Sequence, residues 1–109
     1  MDAETLLADD REQTRARLAG LRSEFDEIVE ARESTNADDE HDPEGPTIAY
    51  ERAQVDALIK QAERHLEAIE AALARVHDGT YGVCGVCGEQ IPAGRLEARP
   101  ATTTCVAHA

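Results

Sequence analysis

The chain has 109 residues, with 23 Asp and Glu against 11 Lys and Arg for a formal charge of −12. That length admits one compact domain or two very small units; the 3% aromatic content excludes a large globular core, and the charge argues against contact with phosphates. No apolar run reaches the ~20 residues of a membrane span, and the N-terminus has no basic region followed by an apolar one, so a soluble cytoplasmic protein without a membrane partner is expected.

Residues 3–33 are charged and apolar, with one glycine, Gly20, and no proline. Alternating steps of four and three pass through Ala3, Leu7, Arg11, Thr14, Leu18, Leu21, Phe25, Ile28 and Arg32. This spacing keeps a narrow stripe on one side of a helix, as in a coiled-coil seam. Residues 34–46 are rich in helix breakers and acids and read as a loop. Between Asp38 and Glu44 stand Asp38, Asp39, Glu40, Asp42 and Glu44, with no Lys or Arg. Residues 46–77 return to helix, with a stronger seam through Ile48, Arg52, Val55, Ile59, Ala62, Leu66, Ile69, Leu73 and Val76. Pro46 or Thr47 would start it, and Arg75, His77 and Gly79 would end it.

Two stripes of similar length, joined by a loop long enough to reverse the chain, predict an antiparallel coiled-coil hairpin over residues 1–77, with 34–46 as its acidic tip. At ~1.5 Å per residue each arm would be about 45 Å long. The competing arrangement pairs each stripe with another chain; the intramolecular hairpin, and hence a monomer, is the reading adopted.

Residues 78–109 hold all three cysteines. Cys84 and Cys87 form a C-x2-C, and seventeen residues later Cys105 and His108 form a C-x2-H. Zinc favours a tetrahedron of thiolate and imidazole donors, and each close pair supplies two adjacent corners. Four protein ligands leave no place for substrate, so the expected ion is structural, one per chain. With few apolar residues in this segment, the metal would supply most of its folding energy. A redox C-x-x-C is the rival, but that motif normally follows a strand and opens a helix. Here it follows a helix and a glycine. His65 and His77 fall within the helix and are read as solvated or helix-end residues.

The run Asp78-Gly79-Thr80-Tyr81-Gly82-Val83-Cys84-Gly85-Val86-Cys87-Gly88, then Ile91-Pro92 and Arg95-Leu96-Glu97-Ala98-Arg99-Pro100, resembles the DksA/TraR zinc-finger family of bacterial transcription regulators. The resemblance covers residues 69–108. It implies a coiled coil that enters the secondary channel of RNA polymerase, places acidic tip residues near the catalytic magnesium, and alters promoter complexes without reading DNA directly. Most members use four cysteines, so His108 is a departure that zinc chemistry tolerates. The tip motif D-x-x-D-x-A of well-studied members is absent: from Asp42 the chain reads Asp42, Gly45 and Thr47, and counted back from Cys84 it reads His41, Glu44 and Pro46. Of the basic residues that hold guanosine tetraphosphate in such members, Arg99 matches one, while Ala68 and Ala109 stand where lysines are expected.

Glu40-x-Asp42-x-Glu44-Gly45-x5-Glu51 has the offsets of an EF-hand calcium loop, but glutamates fill two places that prefer Asp, and the seams demand antiparallel packing. No nucleophile–base arrangement or phosphate-binding loop is present, so no enzymatic activity is expected. The sequence therefore predicts a mostly α chain: a long hairpin followed by a small zinc finger over 78–109. Its expected role is a polymerase-binding regulator, the alternative being an adaptor that binds another protein.

Overall fold

The computed structural model describes the backbone of residues 2–38 and 45–109, and the side chains of 2–31 and 47–109. The acidic positions Asp39, Glu40, Asp42 and Glu44 lie outside the described residues, as does the side chain of Asp38.

Two long helices dominate. Helix α1 spans Ala3–Asp38 and α2 spans Gly45–Asp78, and they are the arms of a helical hairpin. A short helix α3, Ala93–Ala98, and a 3-10 turn, Val106–His108, follow in the finger. The loop expected at 34–46 is shorter than composition suggested, because α1 continues through Asp38. Ser, Thr, Asn and Asp each disfavour a helix interior by only a few tenths of a kcal/mol, too little to stop one that is already propagating. At the other arm Gly45 opens α2, with Pro46 in the first turn where its missing N–H costs nothing.

Contacts group the chain into two units: Met1–Arg15 with Arg64–Ala109, and Ala16–Glu63. In the first, Leu7, Ile69, Ala72 and Leu73 form the core, with Val76, Tyr81 and Ala101 packed against it. Thus the finger contributes Tyr81 and Ala101 to the same core that joins the helices. In the second, Leu18, Val55 and Ala62 are buried, and Arg22 reaches across to Glu63 at 3.1 Å.

The seam reading holds in detail. Leu7, Thr14 and Leu18 of α1 and Val55, Ala62, Ile69 and Leu73 of α2 are buried, and every other described seam position is at least half-covered. Polar members of the weaker α1 seam find partners. The Thr14 hydroxyl donates to Asp10 Oδ1 at 3.4 Å. Arg11 approaches Glu70 of α2 at 3.8 Å, and Arg15, beside the seam, approaches the same carboxylate at 3.7 Å. Such half-exposed pairs contribute about 0–1 kcal/mol, so they steer the partner helix more than they stabilise it. Ala72, off the stripe, is also buried; its small side chain fits where the finger closes over the helix.

The exit from α2 aims the chain into the finger. Gly79 takes a φ of 82°, a left-handed conformation that glycine adopts without a side-chain clash. The N–H groups of Thr80 and Tyr81 then return to the carbonyl of Arg75, satisfying the helix end. The Asp78 carboxylate accepts from the backbone N–H and the hydroxyl of Thr80, which fixes the turn. Tyr81 therefore lands on the hairpin core, and its hydroxyl donates to the carbonyl of Pro100 at 2.8 Å. No helix among the described residues is long and apolar enough to cross a membrane.

Candidate metal centre

The first candidate pair, Cys84 and Cys87, sits on a tight knuckle. Val83 and Gln90 form an antiparallel bridge, Ile91 N–H donates to Gly82 O at 2.7 Å, and Cys84 N–H donates to Glu89 O at 2.8 Å. Between them the chain turns through Gly88, whose φ is 76° and whose N–H returns to Cys84 O. A side chain at Gly88 would strain this turn, which is why a glycine follows Cys87. Cys84 is buried under the knuckle at 1% exposure, while Cys87 is exposed.

The second pair is held by contacts that sequence spacing does not reveal. Gly85 N–H donates to Thr103 O at 2.9 Å, tying the two ligand-bearing segments together. Arg95, on α3, donates from Nε to Thr104 O at 2.8 Å and from Nη2 to Thr102 Oγ1 at 3.3 Å. That fork grips the segment just before Cys105. The 3-10 turn then brings His108 back, with its N–H on Cys105 O. Arg95 was visible only as part of a motif; nothing in its spacing from the cysteines gave it a role.

The four donor atoms of Cys84, Cys87, Cys105 and His108 all lie within 4.8 Å of one another. Cys87 Sγ is 3.9 Å from Cys105 Sγ, and His108 Nδ1 is 3.9 Å from Cys84 Sγ and 3.1 Å from Cys105 Sγ. A tetrahedral zinc with Zn–S near 2.3 Å places its sulfurs about 3.8 Å apart, so the donor set fits the ion. His65 is engaged elsewhere, its Nε2 lying 3.0 Å from Asp10 Oδ2, and His77 is exposed.

Electrostatics prepare the sulfurs for a cation. The backbone N–H of Cys87 is directed at Cys84, aided by those of Cys105 and Val86, and together they hold this thiol down from 9.0 to about 6. For Cys87 the N–H of Glu89 also pulls downward, but desolvation and the sulfurs of Cys84 and Cys105 outweigh it and push the thiol up. Crowded sulfurs are what a central cation relieves. The pH consequence has a definite sign. A thiol with a depressed folded-state pKa stabilises the finger where it is ionised: fully above 9.0, decreasingly below it, and not at all once pH falls through about 6. Metal binding requires the same deprotonation. Zinc release, followed with a chromogenic chelator, should therefore increase as pH falls and be minimal at pH 8. Release independent of pH between 5 and 8 would contradict this account.

The family model for the prokaryotic dksA/traR C4-type zinc finger matches residues 79–107. The RNA polymerase-binding transcription factor DksA of Salmonella typhimurium is 34% identical over 91 residues, covering 79% of this chain and 57% of that protein. The finger is of the DksA/TraR family. General stress protein 16O of Bacillus subtilis is 38% identical over 85 residues, 76% of this chain and 52% of that one. The chain thus spans a little over half the length of these curated relatives. The structure of transcription factor DksA2 from Pseudomonas aeruginosa shares the fold, with a TM-score of 0.56 at 22% identity, covering 99% of this chain and 86% of that one.

As a DksA/TraR finger, this one binds a single structural zinc. The matched model is of C4 type and stops at residue 107, so the part played by His108 rests on its position beside the three sulfurs.

Proposed function

We propose that this protein is a cytoplasmic, non-enzymatic transcription regulator that binds RNA polymerase through its hairpin and finger. In this reading Cys84, Cys87, Cys105 and His108 are the four zinc ligands. The protein acts as a monomer, enters the secondary channel tip first, and does not contact DNA. The observation that carries the proposal is a DksA/TraR finger that shares one core with the base of a helical hairpin. Similarity to the RNA polymerase-binding transcription factor DksA supports the choice of partner. A charge of −12 suits a channel lined by basic groups and disfavours DNA.

The acids Asp38, Asp39, Glu40, Asp42 and Glu44 would then supply negative charge near the catalytic magnesium. Binding strength would come from the sides of the hairpin and from the finger. The two contributions can be separated. Wild-type protein should co-purify with core RNA polymerase and change transcription from a sensitive promoter. Asp42→Ala with Glu44→Ala should leave polymerase affinity within about threefold, since in this reading the hairpin sides and the finger carry the binding, while removing the transcriptional effect. Full activity of that double variant would reject the tip mechanism. Failure of the wild type to bind core polymerase would reject the function and leave an adaptor for another protein.

A further inference from the structure

The two candidate ligand pairs are supported by different kinds of bond. Around Cys84 and Cys87 the support runs from backbone to backbone: Cys84 N–H to Glu89 O, Gly88 N–H to Cys84 O and Ile91 N–H to Gly82 O. The Val86 N–H also donates to Cys84 Sγ at 3.4 Å. These groups belong to the main chain, so side-chain changes at the non-glycine positions leave them in place. The segment before Cys105 has no such ladder. Among the described residues, Thr102, Thr103 and Thr104 receive hydrogen bonds from outside their own segment only from the Gly85 N–H and, twice, from the Arg95 side chain.

What Arg95 holds is the peptide that delivers the donors. Its Nε donates to Thr104 O at 2.8 Å. That carbonyl lies in one rigid plane with the N and Cα of Cys105, so fixing its direction fixes how the cysteine leaves the segment. Cys105 then opens the 3-10 turn, and its carbonyl accepts from His108 N–H at 3.0 Å. One guanidinium thus acts at the origin of both donors of the second pair. Arg95 is itself anchored to the first pair's side of the finger. It sits on α3, just after buried Ile91, and its neighbour Leu96 stands 3.5 Å from where a side chain on Gly82 would begin. Among the described residues Arg95 forms no ion pair, although the chain has 23 acids. Its two partners are neutral oxygens. The guanidinium serves here through the spread of its donors and not through its charge.

We propose that Arg95 is the positioning residue of the metal centre, presetting Cys105 and His108 for the ion. The inference rests on the four-ligand set proposed above. Outer groups that orient metal ligands govern metal affinity by about 10–100-fold. Here one side chain carries that role for half of the donors.

Metal affinity tests the role, measured on the full chain with zinc and with cobalt(II), whose visible absorption in zinc's place reports a tetrahedral thiolate site. Arg95→Ala should bind both ions about 10–100-fold more weakly than wild type. At saturating cobalt its visible band should be weakened and shifted. Arg95→Lys keeps the charge and the helix but offers a point donor, so it should recover less than half of that loss on a logarithmic scale. Glu97→Ala, exposed on the same short helix, should stay within about twofold and keep the wild-type spectrum. That control separates the fork from a general disturbance of α3. Should Arg95→Ala fail to fold even with metal, the lysine variant decides by itself. Wild-type affinity in either Arg95 variant would overturn the positioning role and leave the ligand set standing. A wild-type chain without a tetrahedral cobalt spectrum would overturn the ligand set and the inference together.

Discussion

Cys84→Ser should abolish stoichiometric zinc binding and unfold the finger while leaving most of the helical signal. Cys84 is the buried donor, placed beneath the knuckle where backbone N–H groups converge on its sulfur. A serine oxygen is a poorer zinc ligand, and it is too short to restore the tetrahedron. Without the ion the segment has little to hold it, since Ile91 is the one buried apolar side chain of residues 82–109 apart from the cysteine itself. Structural zinc in such small modules supplies on the order of 10 kcal/mol of apparent binding energy at neutral pH, which becomes folding energy. Strong chelation of the wild type should reproduce the same state. Metal analysis and circular dichroism, read together, test both. A Cys84→Ser protein that still carries one zinc, or wild-type protein purified without chelator that carries none, would remove the metal from the argument. His108→Ala should be milder: the residue is exposed at the open side of the cluster, where water can take its place.

Ile69→Asp should be the most damaging change outside the finger. Ile69 is fully buried between Leu7, Ala72 and Leu73, and a carboxylate there would have neither water nor a partner. Removing the side chain to alanine alone should cost about 2–5 kcal/mol, and burying an unpaired polar group adds to that. The thermal midpoint should fall by ~20 °C or more. Leu66→Asp should follow at smaller amplitude, because Leu66 is half-buried. Glu67→Ala, at an exposed position, should stay within about 0.5 kcal/mol. Glu70→Ala forfeits its approaches to Arg11 and Arg15, exposed pairs contributing about 1 kcal/mol at most. Equal melting behaviour of all four variants would refute the seam.

What could be read beforehand follows from the kind of physics involved. The seam was legible because helix geometry converts burial into a spacing, so Leu7, Leu18, Val55 and Ile69 announced themselves. The convergence of Cys84, Cys87, Cys105 and His108 was legible because zinc constrains ligand type and separation. Neither kind of rule reaches Arg95, whose hold on Thr102 and Thr104 is a tertiary contact without periodicity. Tyr81 and Ala101 are similar: no pattern marks a residue that leaves the finger to enter the core of the helices. The extension of α1 through Asp38 was missed because turn-forming composition is a weak local preference, and helix propagation outweighs it.

The position of Tyr81 bears on how the finger could be transplanted. Small zinc modules are often treated as cassettes, cut at their first and last ligands and spliced elsewhere. Here Tyr81 rests on a core that contains Leu7 and Ile69, residues distant from it in the chain. A fragment covering the matched 79–107 region would arrive at its new host with an aromatic ring that has nothing to rest on. Grafting should succeed only when the lower turns of both helices travel with it, because the finger and the hairpin base share one core.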